Sequence, residues 1–294
     1  MITSKARLAQ ITNLRSVVDG IPFTLPVYCK ETPVLFAAFT IDADAAAGLL
    51  PGVELFPFRL WNRGLLVITV VDYRNTNIGQ YIEYSIAIAC TRGTGRPPRL
   101  LPALLQGRYG VGQFVVDLPV SSEISVKGGK GIWGMPKHQA NLDFQIKADS
   151  VSSQYDADGK LGVYVEIEKP KASLPIDMRA ANYCTFRGLL VKSYLHFHGT
   201  MRFSLFRHGS GRIVIGDHPR VAPLKALDIG RSPIFTGYIE SVEGVLDDYF
   251  ESWFVAGPIP EALPHEGMPS VVDLGLSQAW LPPPDPNLLH GQRS

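Results

Sequence analysis

The sequence predicts a mainly β protein of the α+β class, an antiparallel sheet with a few peripheral helices, and three observations predict it. Short runs rich in β-branched and aromatic residues recur along the chain, among them "PVLFAAFTI", "LLVITVVDY", "QYIEYSIAIAC" and "GQFVVDLPV". Clusters of Gly, Pro, Asn and Asp separate most of them, and the 294 residues include 28 Gly and 23 Pro, a turn-rich composition that excludes a helical bundle or a coiled coil. Hydrophobic residues make up 46% and charged residues only 19%, against a typical charged share of about 25%, so the chain buries a sizeable core and is not disordered.

The elements follow in order. After the run ending at Ile41, Asp42 or Asp44 caps a short helix to Leu50, stopped by Pro51-Gly52. Two strand runs then lead to a second short helix over Leu100 to Gln106. Beyond "GQFVVDLPV" come "LDFQIKA", "GVYVEIEKP", "RIVIGD" and "GYIESVEGVL", with "DADG" as a hairpin turn before "KLGVYVEIE". Residues 1–255 hold no internal repeat and read as one domain, whereas 256–294 form a proline-rich extended tail that wraps the body or a neighbouring subunit or else is partly mobile.

Charge and cysteine content exclude several classes. With 28 Lys plus Arg against 27 Asp plus Glu, the formal charge is +1, which gives no electrostatic footprint for nucleic acid or an anionic membrane surface. The apolar stretches Pro33 to Ile41 and Leu65 to Val71 end at Asp42 and Asp72, short of the roughly 18 residues a membrane helix needs. The N-terminal residues lack the apolar core of a signal peptide. Cys29, Cys90 and Cys184 are too sparse for a disulfide framework or a zinc site. A cytoplasmic location in a reducing interior is the expectation.

The stretch that carries chemistry is "EISVKGGKGIWGMPKHQANLDF", residues 123–144, in which a glycine-rich turn runs through Trp133, Met135 and Pro136 into Lys137. A lysine among bulky apolar neighbours loses hydration, which favours its free amine and suits it to imine chemistry with a ketone. This string resembles the signature of the acetoacetate decarboxylase family, in which a glycine-rich turn precedes Pro-Lys. Upstream, "GQYIEYSIAI" is similar to the family's Gly-x-Tyr-x-Glu marker, and "DADAAAGLLPGVEL" to its N-terminal helix and turn.

The resemblance implies a barrel- or cone-like shell around a buried pocket. It also implies Lys137 as the Schiff-base nucleophile and Glu83 as proton shuttle; His138 beside them could carry protons or serve as a neighbouring cation, although adjacent residues of a strand point to opposite faces and need not share the pocket. The implied reaction is decarboxylation of a β-keto acid, with no metal or organic cofactor because the imine is the electron sink, and the protein is expected to be a homo-oligomer. The same lysine would serve an aldolase-dehydratase acting on a pyruvate-like donor, and a non-catalytic ligand-binding member of the fold is the third reading. Three departures motivate these alternatives. His138 stands where the family has a second lysine, Thr32 where it has an arginine, and Ile68 where it has a second glutamate, on gap-free counting.

Other candidates rank lower. His196 and His198 would share a strand face and could ligate a metal, but no third ligand is apparent. "GRYGVGQ" looks like a phosphate loop without its lysine or helix start. Arg108, Arg202, Arg207 and Arg212 are possible carboxylate anchors. Tyr81, Trp133, Phe203 and Trp253 read as core.

Overall fold

The computed structural model describes residues 14–52, 54–98, 101–255 and 271–290. The N-terminal 13 residues and tail residues 256–270 and 291–294 lie outside the described part.

The chain opens with a hairpin, β1 (Leu14–Val18) and β2 (Ile21–Leu25), and then enters the long β3 (Val27–Asp42). Asp42 ends this strand by capping a helix over Ala43–Ala47, its Oδ1 accepting from the Asp44 and Ala45 N–H groups at 2.8 Å each. Those two bonds hold the Asp42 carboxyl below its usual range. Next come β4 (Leu55–Pro57), β5 (Arg63–Tyr73), β6 (Asn75–Thr76), β7 (Tyr81–Arg92), a turn of helix over Leu101–Leu104, and β8 (Gly112–Val120).

The glycine-rich segment is not a turn. Glu123–Trp133 forms a helix, closed by Gly134 in the left-handed conformation at φ 67°. Glycines lower helix propensity, but seven of its residues are buried against the body, and tertiary packing overrides propensity in a helix this short. The helix delivers the chain to β9 (Lys137–Gln139), β10 (Asn141–Leu142) and β11 (Gln145–Ile146). The run "LDFQIKA" is thus two short strands, interrupted where Asp143 takes the Gln154 N–H on its own side chain at 2.7 Å.

The remaining strands are β12 (Ser150–Ala157), β13 (Lys160–Glu168), β14 (Ala172–Phe186), β15 (Leu189–Leu205), β16 (Gly211–Ile215) and β17 (Phe235–Phe254), with a 3₁₀ helix over Pro219–Leu227 before the last. Asp158 and Gly159, both at positive φ, make the two-residue turn expected from "DADG". The long β14–β15 hairpin is absent from the predicted runs. Its first strand carries Pro175, Asp177, Arg179, Ala180 and Ala181, residues of weak strand propensity that the long antiparallel pairing with β15 overrides.

Seven strands close a mixed barrel in the order β7-β5-β3-β17-β15-β14-β8, with β8 returning to β7. All neighbours are antiparallel except β8 and β14, which meet in parallel through two rungs. A five-stranded sheet built on β12 and β13 covers one outer face. Between the two sheets lies a core that includes Leu35, Phe39, Ile68, Tyr84, Tyr155 and Val165. The barrel interior is lined instead by residues of opposite parity, such as Val71, Tyr73, Val115 and Leu118.

The described part of the tail runs along the body. Trp280 bridges Ser122 and donates from Nε1 to the Gln80 carbonyl, and Gln139, Asn141 and Gln154 donate to carbonyls of Ala279, Pro282 and Asp285. No helix among the described residues is long and apolar enough to cross a membrane.

Candidate active site

Lys137 opens β9, which adds in parallel to the end of β8 with Lys137 opposite Leu118. Its side chain turns into the barrel and is only 4% exposed. The Glu123–Trp133 helix covers it, and Gly129 is the contact point. A Cβ on Gly129 would overlap Lys137 Cδ and lie 2.6 Å from Cε and 3.1 Å from Nζ. The glycine in "KGGKG" therefore leaves the channel through which the lysine reaches the cavity.

At the end of that channel Lys137 Nζ meets Glu83 Oε2 at 2.6 Å and donates to Ser125 Oγ at 2.9 Å. Glu83 comes from β7, two residues after Tyr81, so alternation points both into the barrel. Nζ also sits 5.4 Å from the centre of the Tyr81 ring, which stacks on Tyr73 with centroids 4.5 Å apart. Burial, and after it the neighbouring Glu83 charge, push both phenols well above the ordinary tyrosine range. They remain neutral hydrogen-bonding groups beside the ion pair.

The lysine and glutamate open on a small pocket with a cavity volume of about 40 Å³. Its wall is largely apolar, with Val71, Val115, Leu118, Trp133, Met135 and Leu195, and its polar groups are Thr69, Ser85, Gln113 and Asn182. Among the described residues Lys137 is the one cationic side chain in the lining.

The structure thus brings Lys137 and Glu83 together, and it places His138 elsewhere. As the next residue on the strand, His138 faces out of the barrel, where Nε2 lies 3.0 Å from Asp117 Oδ1. Asp117 Oδ2 accepts from the Tyr155 hydroxyl at 3.0 Å, deep between the two sheets. The expected role of His138 beside the lysine is corrected by this geometry, because neighbours on a strand point to opposite faces.

Ile68 is likewise outside the pocket, in the intersheet core, and its neighbour Thr69 takes the inward place. Thr32 is fully buried and donates to the Lys30 carbonyl. Arg202, Arg207 and Arg212 pair with Glu240, Glu168 and Glu166 on the surface, and Arg108 is exposed. His196 is buried but His198 is exposed, and no group of three or more His, Cys, Asp or Glu that could hold a metal occurs among the described residues. "GRYGVGQ" runs straight into β8 rather than into a helix. Tyr81 and Trp133, read from sequence as core, belong to the site.

Sequence reasoning missed Ser125, Gln113 and Asn182. Ser125 had a usable signal, since it precedes Gly129 by one helical turn and so shares its face. The segment's other buried lysine, Lys127, is engaged elsewhere, with Nζ donating to the Leu274 and Val271 carbonyls and 3.2 Å from Asp19.

The model of the acetoacetate decarboxylase family matches residues 18–240. The chain belongs to that family. Solved structures agree in fold. The acetoacetate decarboxylase of Legionella pneumophila superposes with a TM-score of 0.57 at 12% identity, over 79% of this chain and 91% of that one. The enduracididine biosynthesis enzyme MppR, solved with pyruvate, gives 0.57 at 15% identity over 80% and 92%. An acetoacetate decarboxylase-like enzyme from Sphingomonas wittichii RW1 gives 0.50 at 14% identity over 75% and 91%. No curated protein sequence matches the chain. At these identities the structural likeness is one of fold, and the family's chemistry must be argued from the residues of this pocket.

Proposed function

We propose that the protein is a Schiff-base-forming lyase that decarboxylates a β-keto acid, with Lys137 as nucleophile and Glu83 as proton shuttle. The observation that carries this reading is a buried lysine amine 2.6 Å from a carboxylate at the head of an apolar cavity. Glu83 takes a proton from the ammonium, and the freed amine adds to the ketone carbonyl. The Glu83 acid returns that proton to the carbinolamine oxygen, so that water leaves and a protonated imine stands beside the carboxylate. The bond to the substrate carboxylate then breaks, its electron pair moves to the imine nitrogen, and carbon dioxide departs from an enamine. A proton delivered from water through Glu83 to the enamine carbon regenerates the imine, which a second water hydrolyses to ketone and free lysine.

That the described residues of the pocket lining include no cation besides Lys137 favours decarboxylation over aldol chemistry on a pyruvate-like donor. A pyruvate carboxylate survives every step and needs a buried counter-charge throughout. A β-keto carboxylate is lost as a neutral molecule, so an apolar wall opposes the reactant more than the product.

Intact mass after borohydride reduction in the presence of acetoacetate, a longer β-keto acid or pyruvate tests the proposal, with Lys137→Ala as control. A stable adduct with a β-keto acid, accompanied by carbon dioxide release and absent in the variant, is expected. An adduct with pyruvate alone would replace the lyase with an aldolase. No adduct with any of them from folded protein would leave a binding protein.

A further inference from the structure

The end of the pocket away from the lysine is built from an amide pair. Gln113 enters the barrel from the start of β8 and Asn182 from the middle of β14, facing each other on one of the two parallel rungs that join these strands. The strands approach closely there, since a Cβ on Gly112 would lie 2.7 Å from the Ala181 carbonyl oxygen. That approach lets Gln113 Nε2 donate to Asn182 Oδ1 at 2.7 Å.

An amide has an acceptor and two donors, so this bond leaves the pair half used. Asn182 is 8% exposed and lines the cavity, and among the described residues its NH₂ group has no hydrogen-bond partner. Exchanging oxygen and nitrogen in both amides leaves the outcome unchanged: one NH₂ and one carbonyl still face the pocket. Gln113 and Leu118, the latter opposite Lys137, are five positions apart, or about 16 Å of strand. The pair therefore sits farther along β8 than the place where Lys137 enters, on the same largely apolar pocket wall.

We infer that Gln113 and Asn182 read an uncharged hydrogen-bonding group, a hydroxyl, carbonyl or amide, at the far end of the substrate's chain. The substrate class is a β-keto acid with a neutral polar tail. An apolar tail would leave the amide NH₂ desolvated and unpaired, and a second carboxylate would be buried with no cation beside it. This inference rests on the lysine reading for the position of the reacting end, but the tail contacts are independent of turnover.

The test uses three straight-chain β-keto acids of equal length ending in a methyl, a hydroxyl or a carboxylate, together with the ketones left by loss of carbon dioxide. The hydroxyl-ended acid should be turned over with a kcat/KM at least about tenfold above either other acid, and the hydroxyl-ended ketone should bind about tenfold more tightly by calorimetry than the methyl-ended one. Asn182→Leu should abolish both preferences. Asn182→Asp, which keeps an acceptor for Gln113 but replaces the NH₂ donor with a carboxylate oxygen, should lose the preference of the hydroxyl-ended over the methyl-ended ketone in calorimetry. A trapped lysine adduct with no preference for the hydroxyl overturns the inference and leaves the lyase. A ketone-binding preference that Asn182→Leu removes, without any adduct, supports the inference and overturns the lyase. Preference unchanged in Asn182→Leu overturns the inference in either case.

Discussion

Lys137 and His138 are adjacent in sequence and lie in two different chemical compartments. Inside the barrel, the lysine and Glu83 stand at the head of a cavity, with Ser125, Tyr73 and Tyr81 around them. Outside it, His138, Asp117, Tyr155 and His218 form a closed cluster under the five-stranded sheet, with the Tyr155 ring 6.0 Å from His138 and 6.3 Å from His218. Both compartments hold a basic group against a carboxylate, half-buried at Glu83 and buried at Asp117. The inner pair opens on space for a ligand, whereas the outer carboxylate spends both oxygens on protein partners. An ion pair is a candidate for chemistry only where the fold leaves room beside it.

Breaking the inner pair should have the largest effect. Lys137→Ala is expected to remove the borohydride-trapped adduct and to lower turnover by about a thousandfold or more. Glu83→Gln should slow turnover by about 10² to 10⁴ fold while keeping a trappable lysine. Single-turnover trapping separates the two, since Glu83→Gln should trap slowly but to completion, and a trapping rate and turnover unchanged in Glu83→Gln would mean that Glu83 moves no proton.

Gly129→Ala comes next. Alanine improves intrinsic helix propensity by about 1 kcal/mol, yet here its methyl would overlap the Lys137 stem. A drop in trapping rate of about tenfold, with the helix intact by circular dichroism, is expected. An unchanged rate would mean that the lysine reaches the cavity by another route.

Smaller effects belong to the outer compartment. His138→Asn should cost about 1–3 kcal/mol in denaturant unfolding, because it weakens a bond to a buried carboxylate, while trapping stays within about threefold. Loss of trapping by a folded variant would return His138 to the chemistry. Smallest is Asp156→Asn. Burial raises the Asp156 carboxyl from its ordinary 3.8 to about 6, and its Oδ1 has no hydrogen-bond partner among the described residues. A raised acid favours the fold below about pH 4, and that contribution is lost as pH rises through about 6. The amide should therefore stabilise the protein by about 1 kcal/mol at pH 7, after allowance for solvent screening, and by nothing at pH 4. Equal gains at both pH values would rule out the titration.

Much of this was legible in the residues. Alternating runs marked β3, β5, β7, β8, β13 and β17, Asp42 announced its helix, and Pro-Lys with Gly-x-Tyr-x-Glu singled out Lys137 and Glu83. The helix over Glu123–Trp133 was not legible, because its glycines answer to space around Lys137 rather than to local propensity. Gap-free counting placed Ile68 at a functional position, but side-chain direction on a strand reverses with each residue, and the inward one is Thr69.

The sequence by itself determined the class of the fold and singled out as candidates the lysine and glutamate that the structure brings within 2.6 Å, since periodicity and short motifs are local properties of the chain. The tertiary structure alone decided that His138 belongs to another compartment, that Ser125 and Tyr81 join the lysine, and that Gln113 and Asn182 face each other across the barrel seam. Those relations depend on strand parity, on the bulge between Ile86 and Ala87 in the β7–β8 pairing, and on the parallel meeting of β8 with β14. Such contacts join residues far apart in the chain, and no local pattern encodes them.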